Sequence, residues 1–312
     1  MHPGIIPIFQ PASAQVGEIA HLFTMVLVIC GGILAIVTGL VIYCAIFFRR
    51  KEGAAEPRQI FGQKKLEIVW TAVPVCILIV FFILTVKAVS FSDPPADQKP
   101  DLIVIGHQWW WEVRYPNLGI TTANEVHIPA GKKLLVLLKS ADVIHDFWVP
   151  QLAHKMDMVP GHPNHIWLEA DTPGTYQGSC GEFCGAQHAW MRFVVIADTE
   201  AQFADWTKQQ LEPSPNPSGA AALHGEQTFN QMVCASCHSL SGVSTNKYAA
   251  PDLSHLADRQ TLGAGVLENT PENLALWLKN PAAIKPGCRM PNLKLTGAQV
   301  TNLVDFLEPR HD

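Results

Sequence analysis

Cys180-Gly-Glu-Phe-Cys184-Gly-Ala-Gln-His188-Ala-Trp-Met191 sets two thiols, an imidazole and a thioether within twelve residues, and His145 stands upstream in SADVIHDFWVP. Thiolates and thioethers are soft ligands, and imidazole suits copper well. A mononuclear blue-copper site uses one cysteine; here a second lies four positions away on the same loop. Two bridging sulfurs would let two copper ions share charge, with one histidine and one weak ligand at each end. That assignment takes His145, Cys180, Cys184, His188, Met191 and the backbone carbonyl of Glu182. Three other readings stand beside it. Zinc accepts two Cys and two His but has no use for Met191. A Cys180–Cys184 disulfide is structural, and a copper chaperone with a CxxxC pair needs neither the second histidine nor the methionine.

The flanking segments predict the fold that carries this loop. From Asp101 to about Ala197 short β-prone runs (DLIVIG, WWWEVRY, KLLVLLKS, NHIWLEA, MRFVVIA) are separated by Pro, Gly and Asn. That spacing predicts an antiparallel sandwich or barrel. Residues 101–212 hold 7 basic and 13 acidic groups, so the acidity of a chain with formal charge −5 is concentrated here.

Upstream the composition changes again. The chain has 312 residues, about two domains by length, with only 16 % charged residues against a usual ~25 %. Residues 19 to 48 carry no formal charge, nor do residues 68 to 86, and about 20 apolar residues span a bilayer. Two transmembrane helices are predicted, over 18–48 and 67–91, and two buried helices of a large soluble core would not need a first run of that length. The loop 49–66 contains Arg49, Arg50, Lys51, Arg58, Lys64 and Lys65, whereas residues 1–17 have neither lysine nor arginine. Positive-inside bias puts the loop in the cytoplasm and both termini outside. Residues 1–17 lack a basic region followed by an apolar core, so the first span is read as an uncleaved export signal. Glu67, at the cytoplasmic mouth of the second span, reads either as a carboxylate snorkelling to the interface or as a proton-handling group.

Downstream, residues 212–219 (EPSPNPSG) form a linker that would reach roughly 25 Å at ~3.1 Å per residue in extended polyproline form. Residues 220–312 contain Cys234-Ala-Ser-Cys237-His238, the CxxCH signature of covalent haem attachment. The two thiols would form thioethers and His238 would ligate iron, with Met290 in KPGCRMPN as the distal ligand. His/Met ligation raises the potential and suits electron transfer. The same pentapeptide also occurs by chance or in redox dithiol proteins. HGEQTFNQMVCASCH, PENLALWLKN and a segment starting at Thr296 or Gly297 read as helices, the last with Val300, Leu303, Val304 and Leu307 at helical spacing. Cys288 reads as a buried inert thiol. The net charge, three cysteines in apolar runs, and the absence of a basic patch exclude a nucleic-acid binder and a disulfide-rich secreted scaffold.

Taken together, residues 18–212 resemble subunit II of the haem–copper cytochrome c oxidases, through LEIVWTAVP, GHQWWWE, DVIHDFWVP, KMDMVPG and CGEFCGAQHAWM. The resemblance implies a two-helix hairpin followed by a cupredoxin-like domain with a binuclear CuA centre. All copper-ligand positions are filled, unlike in the related quinol oxidases. It also implies that Glu67 lies at the mouth of a proton channel shared with subunit I. The side chain of Glu182 would bind a magnesium or manganese ion at that subunit interface, and Trp109 would receive electrons from a docked cytochrome c. Trp110 and Trp111 read as packing aromatics. His162 replaces an arginine of many relatives, which puts a carried-over salt bridge from this turn in doubt. Residues 220–312 resemble an all-α class I cytochrome c domain, in which Pro251 would orient His238 through its carbonyl and Gly225, Phe229 and Trp277 would be packing residues.

The expected protein is therefore an electron conduit in a proton-translocating oxidase of the inner or plasma membrane. An external donor, a soluble cytochrome or another respiratory complex, would reduce haem c; CuA would pass the electron to the haems of subunit I, with subunit III as a further partner. Neither span carries the histidines of an oxygen site, so no catalytic residue is assigned to this chain. A CuA-type nitric oxide reductase subunit, and a free-standing copper and haem carrier or copper-delivery module, are the alternatives. With a cytochrome domain of net charge −1 (7 basic, 8 acidic), high effective concentration through the tether is expected to bring it to the copper domain, aided by any local charge complementarity.

Overall fold

The structure, a computed structural model, describes residues 9–53, 56, 59–95, 98–214, 216–241 and 250–308. It divides into two compact units, Gly17–Ser92 and the remainder.

The first unit consists of long apolar helices, α1 (Ala14–Phe47) and α2 (Lys64–Ser92), both long and apolar enough to cross a membrane. Their apolar side chains are exposed along almost the whole length, which water would not tolerate and lipid would. α2 begins three residues before the expected boundary, so Lys64 and Lys65 belong to the helix. The physical reason is a cap: Glu67 Oε1 accepts the Gln63 N–H at 3.2 Å, filling one of the unpaired donors of the first turn. Pro74 sits inside α2, as spanning helices allow.

In the second unit, residues 102–198 form ten strands: β1 (Leu102–His107), β2 (Trp110–Tyr115), β3 (Ile120–Ala123), β4 (Glu125–Pro129), β5 (Leu134–Ser140), β6 (His145–Val149), β7 (Ala153–Met158), β8 (Asn164–Leu168), β9 (Gly174–Cys180) and β10 (Arg192–Asp198). They make two five-stranded sheets, ordered β3-β2-β1-β5-β8 and β4-β10-β9-β6-β7. The sandwich is as expected, although β1–β5 and β4–β10 pair in parallel, a crossover that strand periodicity does not reveal. Trp111, Phe147 and Phe193 fill the space between the sheets, Trp111 lying 6.1 Å from Phe147 and 4.9 Å from Phe193 between ring centroids. Helix α3 (Glu200–Leu211) closes the domain behind a Thr199/Gln202 capping box.

The cytochrome domain has helices α4 (Ala220–Gln231), α5 (Cys234–Cys237), α6 (Pro271–Lys279), α7 (Pro281–Ile284) and α8 (Gly297–Leu307). It also contains a short hairpin, β11 (Thr261–Leu262) with β12 (Leu267–Glu268), which the helical reading did not include. α8 starts at a capping box formed by Thr296 with Gln299 and buries Val300, Leu303, Val304 and Leu307, the stripe its spacing predicts. α4 crosses it so closely that a Cβ on Gly225 would stand 2.0 Å from the Asn302 carbonyl oxygen. The copper-type and cytochrome domains belong to one unit, a point on which the linker composition is silent. Buried polar contacts across their boundary hold them together.

Candidate functional site

β6 opens with His145 and β9 closes with Cys180, and the two strands pair antiparallel with Phe147 opposite Cys180. The loop after β9 folds back so that the Cys180 N–H donates to the Met191 carbonyl at 3.0 Å. A 3-10 turn over His188–Trp190 then presents His188 and Met191 to the same point. Cys180 Sγ lies 3.7 Å from Cys184 Sγ, 3.9 Å from His145 Nδ1 and 3.2 Å from the Glu182 carbonyl oxygen. Cys184 Sγ lies 3.8 Å from both His188 Nδ1 and Met191 Sδ. Each thiol thus has its own imidazole and its own weak donor. A disulfide needs sulfurs ~2.05 Å apart; both cysteines are free thiols.

The chemistry of the donors fits metal ions of soft character. The hydrogen-bond contact between the two sulfurs lowers the pKa of Cys180 and raises that of Cys184. Two thiolates this close and this buried require cationic charge between them. His145 is oriented from behind: its Nε2 is 2.8 Å from Asp142 Oδ1, leaving Nδ1 for a metal. Gly106 on β1 makes room for the ring, since a Cβ there would meet His145 Cδ2 at 2.8 Å. Asp142 is a functional residue that sequence reasoning missed; the one available signal was an acid three positions before a candidate ligand.

In the cytochrome domain a largely apolar cavity of about 250 Å³ is lined by Cys234, Cys237, His238 and Met290, by Leu253, Leu274 and Leu278, and by Trp277 and Cys288. His238 Nδ1 is 2.7 Å from the Pro251 carbonyl oxygen, which leaves Nε2 available to coordinate, and burial lowers the pKa of the ring. Arg259 also lines the cavity, and its buried Nε has no partner among the described residues. A porphyrin bearing carboxylates would satisfy it, so the residues present fit a haem.

Gln108, Trp109 and Trp110 of the copper-type domain line this same cavity. Trp109 Nε1 donates to the Cys184 carbonyl at 3.0 Å, and Gln108 Nε2 donates to it at 2.8 Å. Trp111 is core, as expected, whereas Trp110 stacks on His107 at 4.3 Å. His107 in turn pairs at 3.0 Å with buried Glu112, which also binds Arg114. Burial alone would raise the Glu112 pKa, but hydrogen bonds from His107 and Arg114, with their charge, outweigh it and hold the carboxyl below its usual 4.5. Its stabilising contribution is therefore complete above about pH 4.5 and lost as pH falls through the depressed value. The thermal midpoint of the protein is expected to drop on acidification through that window, and Glu112→Gln to flatten the drop; an acid limb unchanged in the variant would contradict this.

Glu182 and His162 are exposed, His162 at the tip of the turn after β7. Glu67 caps the start of α2. Cys288 is half-buried with its thiol 3.6 Å from the Met290 carbonyl oxygen. Phe229 lies in the core of the cytochrome domain.

Comparison with known proteins matches residues 4–88 to the transmembrane domain and residues 119–198 to the periplasmic domain of cytochrome c oxidase subunit II, and residues 222–309 to cytochrome c. Cytochrome c oxidase subunit 2 of Alkalihalophilus pseudofirmus is 39 % identical over 80 % of this chain and 76 % of its own. That of Bacillus subtilis is 32 % identical over 85 % and 81 %. The crystal structure of the periplasmic domain of subunit II of cytochrome oxidase of Bradyrhizobium japonicum is 30 % identical, covering 38 % of this chain and 95 % of that one, with a TM-score of 0.35.

Proposed function

Because the chain belongs to the cytochrome c oxidase subunit II family, we propose that it carries electrons from an external donor through a covalent haem c and a binuclear CuA centre to the haems of subunit I, where oxygen is reduced to water. Family membership by itself makes the chain a membrane-anchored subunit of an oxidoreductase complex, with a cytochrome c domain, an electron-transfer role, subunit I as partner and its soluble part on the outer side. The observation that carries the finer reading is the duplicated donor set, one imidazole and one weak ligand per thiol. Four-coordinate zinc uses four donors, and six are present.

When bound, the copper pair and the haem supply one-electron chemistry at a potential tuned by their axial and weak ligands. The chain's residues do the holding and wiring. Cys180, Cys184, His145, His188, Met191 and the Glu182 carbonyl would together hold the two copper ions. Asp142 keeps the His145 tautomer. Cys234 and Cys237 would hold the haem covalently, and His238 and Met290 would ligate its iron. Trp109 bridges the cavity wall and the Cys184 carbonyl by one hydrogen bond, which supports it as the electron route; in this arrangement its input is the chain's own cytochrome domain. We further assign Glu67 to the mouth of a proton path, and the exposed Glu182 side chain to a magnesium or manganese ion shared with subunit I. Subunit III is a further partner, and the donor is a soluble cytochrome or another respiratory complex.

The test is metal analysis and electron paramagnetic resonance of the purified oxidase complex containing the full chain. Two coppers per covalent haem in this subunit, with one unpaired electron's hyperfine coupling spread over both coppers, is the expected result. A mononuclear spectrum, or no firmly held copper, would sink the CuA reading in favour of a carrier or delivery module. Turnover on nitric oxide in place of oxygen would favour a nitric oxide reductase.

A further inference from the structure

We propose that Glu125 and Lys285 form a reciprocal two-point latch that holds the cytochrome domain in a single register on the copper domain, with Trp109 held at one of the two points. The latch rests on the functional reading above, since the register matters only if electrons cross it.

Both residues are ionisable and buried, at 2 % and 3 % exposure, and they cross the domain boundary in opposite directions. Glu125, on β4 of the copper domain, accepts the Gln260 N–H at 2.8 Å, the Thr261 N–H at 3.0 Å and the Thr261 hydroxyl at 3.3 Å. Lys285, in the cytochrome domain, donates to the Trp109 carbonyl at 3.2 Å and to the Gly263 carbonyl of its own domain at 2.8 Å. Burial raises the Glu125 pKa, and the charge of nearby Arg259 offsets that only in part. Three further contacts cross the same boundary. The Arg289 guanidinium sits 5.6 Å from the Trp109 ring centroid and donates to Gln108 Oε1. The Arg192 N–H donates to the Ala264 carbonyl at 3.1 Å.

Buried charges contribute little net stability, because desolvation cancels most of the attraction. What they supply is intolerance of error. If the domains slipped by one residue, a carboxylate, an ammonium and the backbone groups they serve would be left buried without partners, each at a cost. Salt screens such buried contacts far less than exposed ion pairs. The residue whose carbonyl Lys285 holds is also the one that lines the haem cavity and touches Cys184. Glu125 and Lys285 are thus positioning residues for the Trp109 contact, and electron transfer inside the chain needs no diffusive search by the cytochrome domain.

The experiment uses the purified oxidase complex, with photoinjected electrons to time transfer from haem c to copper and with hydrogen exchange as an independent readout. In the unaltered protein the transfer rate is expected to be the same at low and high salt and in buffer thickened with glycerol. In Glu125→Ala and Lys285→Met, exchange at residues 260–262 is expected to rise about tenfold or more as the buried amides open, while haem and copper spectra stay unchanged. Transfer should slow and become dependent on viscosity; Glu125→Gln, which keeps an acceptor oxygen, should lie between. A rate in the unaltered protein that falls with viscosity overturns the latch, whatever the variants do. So do unchanged exchange and rate in both variants. If exchange responds as expected but no electron passes from haem c to copper in the unaltered protein, the latch stands as a structural device and the functional reading falls.

Discussion

Replacing Cys184 with serine is expected to abolish the shared-copper signal and to cut donor-driven oxygen consumption by more than ~100-fold, because even outer-shell changes at metal sites cost ~10–100-fold. Cys184 Sγ is the point from which Cys180, His188 and Met191 are all reached, at 3.7, 3.8 and 3.8 Å. A serine hydroxyl is hard, stays protonated at neutral pH and does not bridge two soft ions. The His145 and Cys180 end retains its donors, so at most one copper per haem is expected, with a mononuclear spectrum. The haem cavity contains none of the six copper-side donors, so the haem absorbance of the variant should match the parent. Two coppers retained, with coupling still spread over both, would refute the assignment of Cys184 as a bridge.

Met290→Leu tests the other cofactor. Leucine keeps the volume of a residue packed against the cytochrome core but has no lone pair for iron. His/Met ligation raises the haem potential, and loss of the thioether is expected to lower it by a few tenths of a volt, within the ~0.8 V range that axial ligands command. For a one-electron couple each ~59 mV is tenfold in equilibrium. Donor oxidation should therefore become unfavourable by several orders of magnitude, while transfer onward to copper becomes more favourable. A redox titration of the covalent haem measures the shift, and steady-state turnover with a soluble cytochrome donor measures its consequence. Since Cys234, Cys237 and His238 are untouched, haem content should not change. An unaltered potential would exclude Met290 as the distal ligand.

Much of this molecule was legible in its chain. Uncharged runs at 19–48 and 68–86 identify the spans, because a bilayer core admits little else at that length. CGEFCGAQHAWM and CASCH bring their donors together by local chain geometry, a loop and one helical turn, so their spacing is already chemistry. The stripe of Val300, Leu303, Val304 and Leu307 follows from helical periodicity, and burial bears it out.

What the sequence did not reveal are contacts between residues far apart in the chain. The small hairpin β11–β12 is two residues a side, too short to show a period. The parallel pairing of β1 with β5 and of β4 with β10 depends on which sheet each strand joins. Asp142 looks like any loop acid until β6 turns His145 back onto it. Glu125 lies 135 positions from Gln260, and Lys285 lies 176 from Trp109. The Pro-rich linker leaves the docking of the last domain open, because composition reports stiffness and reach, never what the tethered domain lands on. The sequence by itself determined the class of fold, the membrane anchor and the two close-spaced motifs CGEFCGAQHAWM and CASCH, since each is written in local spacing. Only the tertiary structure decided that the two redox domains share one interface that includes Trp109. That arrangement depends on buried polar groups finding partners across the boundary, and burial is a property of the folded chain.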